Sequence, residues 1–228
     1  MSLLYAALGD SITHGYDATE AEAKFVNRIR RALATRRRTS VFVQAKPGWT
    51  SRQLRKSLKD VPTCIFEEAT LVTVMIGGND LLRGGPWLLH GNTTKIAGIA
   101  EQLRDNLQGI VQVVKRPYNR VLVATLYNPF PNYVVAVECM AMMNRAIRLV
   151  AKRSNAELVD IEQVFAQHEV NFIHNYKNGE LRDFKLRSNP IHPNDAGHAK
   201  VAAEFLRVYR RKAKSGLLAG GKNRRSGT

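Results

Sequence analysis

Leu3-Leu4-Tyr5-Ala6-Ala7-Leu8, followed at once by Gly9-Asp10-Ser11, is the stretch on which the reading of this 228-residue chain turns. Six apolar residues without polar alternation suit a strand covered on both faces, as strands of a parallel sheet are. The pattern recurs at Val41–Ala45, Leu71–Ile76, Val121–Leu126 and Leu158–Val159. Between these runs the apolar spacing switches to three and four. Phe25, Ile29 and Leu33 form one such series, and Ile96, Ile99, Leu103, Leu107, Ile110 and Val114 a second. Ala136, Met140, Met143, Ile147 and Val150 form a third, its methionines read as core filling, and a final helix carries Val201, Ala202, Phe205, Val208 and Tyr209 behind an asparagine cap near Pro193-Asn194. Strands alternating with helices predict an α/β protein, a three-layer α/β/α sandwich around about five parallel strands.

Composition excludes several classes. Hydrophobic residues at 44% and charged residues at 24% are ordinary globular values, not those of a disordered or fibrous chain. The longest uncharged stretch, 121–137, is broken by Asn128-Pro129 and Pro131-Asn132, so no transmembrane segment is expected. The apolar opening lacks a basic n-region and meets Gly9-Asp10 too soon for a signal peptide. Cys64 and Cys139 are too few and too far apart for a zinc site or a disulfide framework; a cytoplasmic protein with both thiols reduced is the simplest expectation. The net charge of +16 is the unusual number. From Arg210 onward come Arg210, Arg211, Lys212, Lys214, Lys222, Arg224 and Arg225 with no acid among them. The chain is therefore divided into a domain over 1–209 and a basic tail over 210–228. Such charge speaks to nonspecific contact with anionic surfaces, not to a specific nucleic-acid site. The run Arg36 to Arg38 reads as a solvated face.

In open parallel sheets ligands bind beyond the carboxyl ends of the strands. Ser11 follows the first run there, Gly48 the second, and Gly77-Gly78-Asn79-Asp80 the third, while His192-Pro193-Asn194 opens the last helix. Acyl transfer needs these residue types. A serine hydroxyl attacks only when a base takes its proton, and His192 is the candidate base. The oxyanion that follows needs preorganised donors, which the backbone N–H groups of Ser11 and Gly48 and the Asn79 amide can supply. Glycine at 48 is expected because a Cβ would obstruct the approach of the main chain. Asp10 reads as a brace for the turn. No Gly-x-Ser-x-Gly elbow, phosphate-binding loop or His-Glu-x-x-His pattern appears, and Asp195 between His192 and His198 reads as first-turn helix charge and not as a metal ligand. No metal and no cofactor are implied.

In this order, the blocks resemble those of the SGNH (GDSL-type) hydrolase family of serine esterases and lipases, and the similarity runs from Leu3 to about Tyr209. Gly9-Asp10-Ser11-Ile12-Thr13 is similar to the first family block, which implies Ser11 as nucleophile. Gly48-Trp49-Thr50-Ser51 resembles the second, whose glycine donates a backbone N–H. Gly77-Gly78-Asn79-Asp80 resembles the third, with the oxyanion asparagine at Asn79, and His192-Pro193-Asn194 the fifth, with the catalytic histidine at His192. The resemblance implies a flavodoxin-like five-stranded sheet, an acyl-enzyme mechanism without cofactor, and a small ester as substrate. The segment 78–84 is similar to that of the thioesterase/lysophospholipase branch.

Three departures stand out. Ile12 replaces a common leucine, and no asparagine precedes Gly48, Gln44 being the nearest polar residue. Most seriously, the family's Asp-x-x-His reads Asn189-Pro190-Ile191-His192. Three readings compete. Asn189 orients His192 through its carbonyl oxygen, another acid such as Asp183 reaches the ring, or the enzyme is weakened and the chain is a module that binds acylated or anionic partners. Pro190 restricts Asn189 to extended geometry, which favours the first. Around the crevice, Leu81, Leu82, Pro86, Trp87, Leu88 and Leu89 after the third strand, and Tyr127, Phe130 and Tyr133 after the fourth, are the expected walls of an acyl pocket.

Overall fold

The computed structural model describes residues 3–84, 93–184 and 189–219. Strands occupy each apolar run: β1 Leu3–Gly9, β2 Thr39–Ala45, β3 Ala69–Met75, β4 Arg120–Ala124 and β5 Glu157–Val159. All neighbours pair in parallel, in the order β2-β1-β3-β4-β5. That is the flavodoxin-like order, whose direction of winding reverses between β1 and β3 and so opens a crevice at their carboxyl ends. Gly9 lies in register with Ala45 on one side and Met75 on the other. Three strand ends are thereby level, and the loops carrying Ser11, Gly48 and Asn79 leave from one edge.

Side chains alternate across the sheet. Tyr5 and Ala7 face Phe25 and Ile29 of helix Phe25–Ala34 and Val201 and Phe205 of the last helix, Asp195–Ala219. Ala6 and Leu8 face Leu54, Leu103, Leu107, Met143 and Ile147. These come from helices Ser51–Ser57, Thr93–Val114 and Val134–Arg153. A fully buried leucine or phenylalanine contributes roughly 1.5–3 kcal/mol, so the two apolar layers dominate stability. The Tyr5 hydroxyl, buried among them, is satisfied by Thr73 Oγ1 at 2.9 Å.

The expectation that every strand is covered on both faces fails at β2. This strand forms an edge of the sheet, its residues are only partly buried, and Val43 is 45% exposed. The last helix starts as expected, with Asn194 Oδ1 accepting the Gly197 N–H at 2.9 Å, and continues past Tyr209 to Ala219. Among the described residues, no helix is long and apolar enough to cross a membrane.

Candidate active site

The end of β1 is packed tightly. A Cβ on Gly9 would lie 2.2 Å from Thr13 Oγ1 and 2.3 Å from the Met75 carbonyl oxygen, so only glycine lets this strand end meet β3. Asp10 caps the following turn, Ser11–His14, by accepting the Ile12 N–H at 3.0 Å. Its role is the brace expected of it. Burial lifts the Asp10 carboxyl to about 7, with the Ile12 N–H working against the rise and the charge of Asp80 adding to it. Ser11 stands at the head of this turn, 7% exposed, and its Oγ lies 2.9 Å from His192 Nε2.

His192 arrives from the other end of the chain, and its loop is anchored on both sides. The Tyr127 hydroxyl donates to the Ile191 carbonyl at 2.6 Å, and the His174 N–H donates to the His192 carbonyl at 2.9 Å. The ring's second nitrogen, Nδ1, lies 3.1 Å from Asp17 Oδ2. This departs from the expectation at Asn189. The carbonyl of Asn189 instead accepts the Ile191 N–H, forming the turn into the histidine, and the carboxylate paired with the ring is Asp17. Asp183 is engaged elsewhere, its Oδ2 accepting the N–H groups of Asn178 and Glu180. Burial holds the His192 pKa below the ordinary imidazole value; Asp17 opposes that shift and His174 adds to it.

The third strand end fixes the second loop. Asp80 accepts both the Ser51 N–H, at 2.8 Å, and the Ser51 hydroxyl, at 2.5 Å, while Asn106 Nδ2 donates to the same hydroxyl. Asn79 Nδ2 donates to the Trp49 carbonyl at 3.0 Å. A side-chain amide carries two N–H donors, so one of Asn79's remains for another acceptor. Arg83 reaches the Gly48 carbonyl. Glycine at 48 also answers to the backbone. A Cβ there would meet nothing within 4 Å, and glycine is required by the left-handed backbone, φ +79°.

Asp10, Ser11, Asn79 and His192 line one cavity of about 410 Å³. Its remaining wall is largely apolar, including Leu81, Leu82, Tyr127, Phe130 and Tyr133, as expected, together with Ile12, Met140 and Phe184. Gly48 is not among the residues that line it. Pro86, Trp87, Leu88 and Leu89 lie outside the described residues. His198, whose metal role was discounted, is fully buried with Nε2 3.3 Å from the Tyr16 carbonyl, and burial lowers its pKa to about 4. Asp195 accepts the Thr19 N–H and hydroxyl.

The structure brings Ser11, His192 and Asn79 to one cavity, and the sequence singled out neither Asp17 nor the contacts of Asp195 and His198. One signal bore on Asp17. Gly15 follows the serine turn in the left-handed conformation, φ +88°, and doubles the chain back so that the Tyr16 N–H meets the Ser11 carbonyl.

Residues 7–200 match the model of the GDSL-like Lipase/Acylhydrolase family. The spore germination lipase LipC of Bacillus licheniformis is 24% identical over 220 residues, covering 91% of this chain and 96% of LipC. Among solved structures, the lipase Lip_vut3 from a goat rumen metagenome superposes with a TM-score of 0.77 at 22% identity, covering 90% of this chain and 97% of the lipase. A mutant of Axe2, an acetyl-xylooligosaccharide esterase from Geobacillus Stearmophilus, superposes with a TM-score of 0.62 at 21% identity, covering 90% of this chain and 92% of that one.

Proposed function

Because the chain belongs to the GDSL-like lipase/acylhydrolase family, we propose that it is a serine esterase that cleaves carboxylic esters of short to medium acyl chains through an acyl-enzyme intermediate. The observation that carries this reading is the 2.9 Å contact between Ser11 Oγ and His192 Nε2 at the mouth of an apolar cavity. Ser11 Oγ adds to the ester carbonyl while His192 Nε2 takes its proton. The resulting oxyanion receives hydrogen bonds from the backbone N–H groups of Ser11 and Gly48 and from the second N–H of Asn79. Two of these donors are tied together, since the Asn79 amide holds the carbonyl of the residue after Gly48. Collapse expels the alcohol, which takes the proton from His192. Water then adds to the acyl-enzyme with His192 again as base, releasing the acid and free Ser11.

The reading of the chain as a weakened binding module rested on the lost charge at Asn189 and on the basic tail. Asp17 supplies a charge at the same ring nitrogen, which favours the enzyme. Residues 210–228, with their excess of basic groups, are read as an extension that contacts anionic surfaces without sequence specificity. The deciding experiment is hydrolysis of a nitrophenyl ester together with labelling by a fluorophosphonate. Wild-type protein should turn over and be labelled at Ser11, and Ser11→Ala should do neither. Turnover by Ser11→Ala at the parent rate would refute the proposal.

A further inference from the structure

The carboxylate facing His192 sits in an unusual backbone. Asp17 has φ +61°, a left-handed conformation that aspartate tolerates better than most residues but that persists only where its surroundings hold it. Those surroundings come from the first turn of the last helix. Asp195 accepts the Thr19 N–H at 3.0 Å and the Thr19 hydroxyl at 2.5 Å, pinning the chain two residues after Asp17. His198 Nε2 meets the Tyr16 carbonyl, pinning it one residue before. The Tyr16 ring lies against the His192 ring at 4.6 Å. His192 itself precedes Asp195 by three residues. The same helix start therefore positions the base and both anchors of the acid, so the Asp17–His192 distance is referenced to one rigid element.

We infer that Asp17 takes the part played in other family members by the aspartate three residues before the histidine, and that Asp195 and His198 are positioning residues that hold Asp17 to the ring. The inference rests on the Ser11–His192 reading above. Its chemistry follows from charge. The imidazolium formed when Ser11 attacks needs an acceptor that fixes the Nδ1–H tautomer and a negative charge beside it. Asn189 has no such charge, and Asp183 is held by two backbone N–H groups of its own turn. The charged or titratable groups near His192 are Asp17, His174, His198 and, across the cavity, Asp10. Asp17 is the one hydrogen-bonded to the ring.

The test compares kcat and KM on a soluble nitrophenyl ester across pH for wild type, Asp17→Asn, Asn189→Ala, His198→Leu and His198→Gln, with thermal melts to establish folding. Asp17→Asn should lower kcat by about 10⁴, the loss that follows Asp→Asn at the acid of a Ser-His-Asp triad, with KM nearly unchanged. The acidic limb of its residual kcat/KM should move to lower pH, because Asp17 favours the protonated ring and its removal lets the His192 pKa fall further. Asn189→Ala should cost no more than a few-fold. His198→Leu should lower kcat about tenfold at constant KM, and His198→Gln, whose amide can still donate to the Tyr16 carbonyl, should recover most of that loss. Full activity in Asp17→Asn, or an Asn189→Ala loss equal to that expected for Asp17→Asn, would overturn the assignment. Equal losses in His198→Leu and His198→Gln would overturn the anchoring role. If wild type is neither active nor labelled at Ser11, the esterase reading itself fails; if it is both, and Asp17→Asn matches it, only this inference fails.

Discussion

Acyl-chain length offers a graded test of the cavity. Its volume of about 410 Å³ falls within the range of about 300–1,000 Å³ typical of small-molecule sites. Each buried methylene is worth about 0.8 kcal/mol when fully enclosed. The cavity is open on one side, so roughly half of that, ~0.4 kcal/mol or about twofold in kcat/KM per carbon, is the working figure. Going from acetyl to octanoyl adds six carbons and should raise kcat/KM about 60-fold, with a ceiling of a few thousandfold for complete burial. The gain should fall mainly on KM, because apolar contacts remote from the carbonyl bind ground state and transition state alike. Ala136 lines the cavity on helix Val134–Arg153 and is half-buried. Ala136→Phe should fill part of the space that longer chains use, cutting the octanoyl advantage about tenfold while changing acetyl turnover less than threefold. The assay is initial rates on nitrophenyl acetate, butyrate, hexanoate and octanoate below their aggregation limits. A flat profile, or equal losses on acetate and octanoate in Ala136→Phe, would refute the assignment of this cavity to the acyl chain.

Two further outcomes follow from charge. Asp10 is buried with its pKa raised from 3.8 to about 7, so the fold binds its proton more tightly than the unfolded chain does. Stability should therefore fall as pH rises from about 4 to about 7, and Asp10→Asn, whose amide oxygen still accepts the Ile12 N–H, should escape that loss; at about 1.4 kcal/mol per unit the gain has a ceiling of roughly 4 kcal/mol above pH 7. Thermal melts at pH 4 and pH 8 check it, and the same difference at both would refute it. At the amino-terminal edge of the sheet, opposite the crevice, Lys115, Arg116 and Tyr209 line one cleft, with exposed Lys152, Arg153, Arg210 and Arg211 beside it in sequence. Adsorption to anionic vesicles should weaken steeply between low and moderate salt and be weaker throughout, with a shallower salt slope, in Lys152→Glu/Arg153→Glu, while hydrolysis of a neutral soluble ester stays constant; salt-independent adsorption would remove this end from the account.

The strands and the place of Ser11 were legible because each depends on a few adjacent residues. An unalternating apolar run ending in glycine states both that a strand is buried and where it stops, and parallel pairing then carries the next residues to the crevice. Ser11 and Asn79 stand two and four residues beyond their strands, too few for the chain to wander. Properties set by neighbours distant in sequence were not legible in this way. The exposure of Val43 follows from β2 lying at the edge, a matter of sheet order that the composition of the strand does not record. The left-handed φ of Gly48 is a second demand for glycine that the sequence does not separate from close approach of the main chain.

The carboxylate beside His192 Nδ1, Asp17, was hidden for a deeper reason. A nucleophile needs a fixed approach to the substrate and so is tied to a strand end, whereas an acid need only bring one oxygen within hydrogen-bonding reach of Nδ1. Any segment passing the ring can do that. The chain passes near it at 15–19 as well as at 189–191, and what brings the first segment into reach is the contact of Thr19 with Asp195, 176 residues apart. Ser11 and Asp17 share one seven-residue stretch, and His192 and Asp195 share another of four. The constellation is thus made by docking two short segments. Once they are docked, a charge at 189 has no ring nitrogen left to serve, because Nδ1 is already paired with Asp17. Asparagine at 189 is then compatible with a working site, provided that the loop from Gly15 to Thr19 stays closed on the last helix.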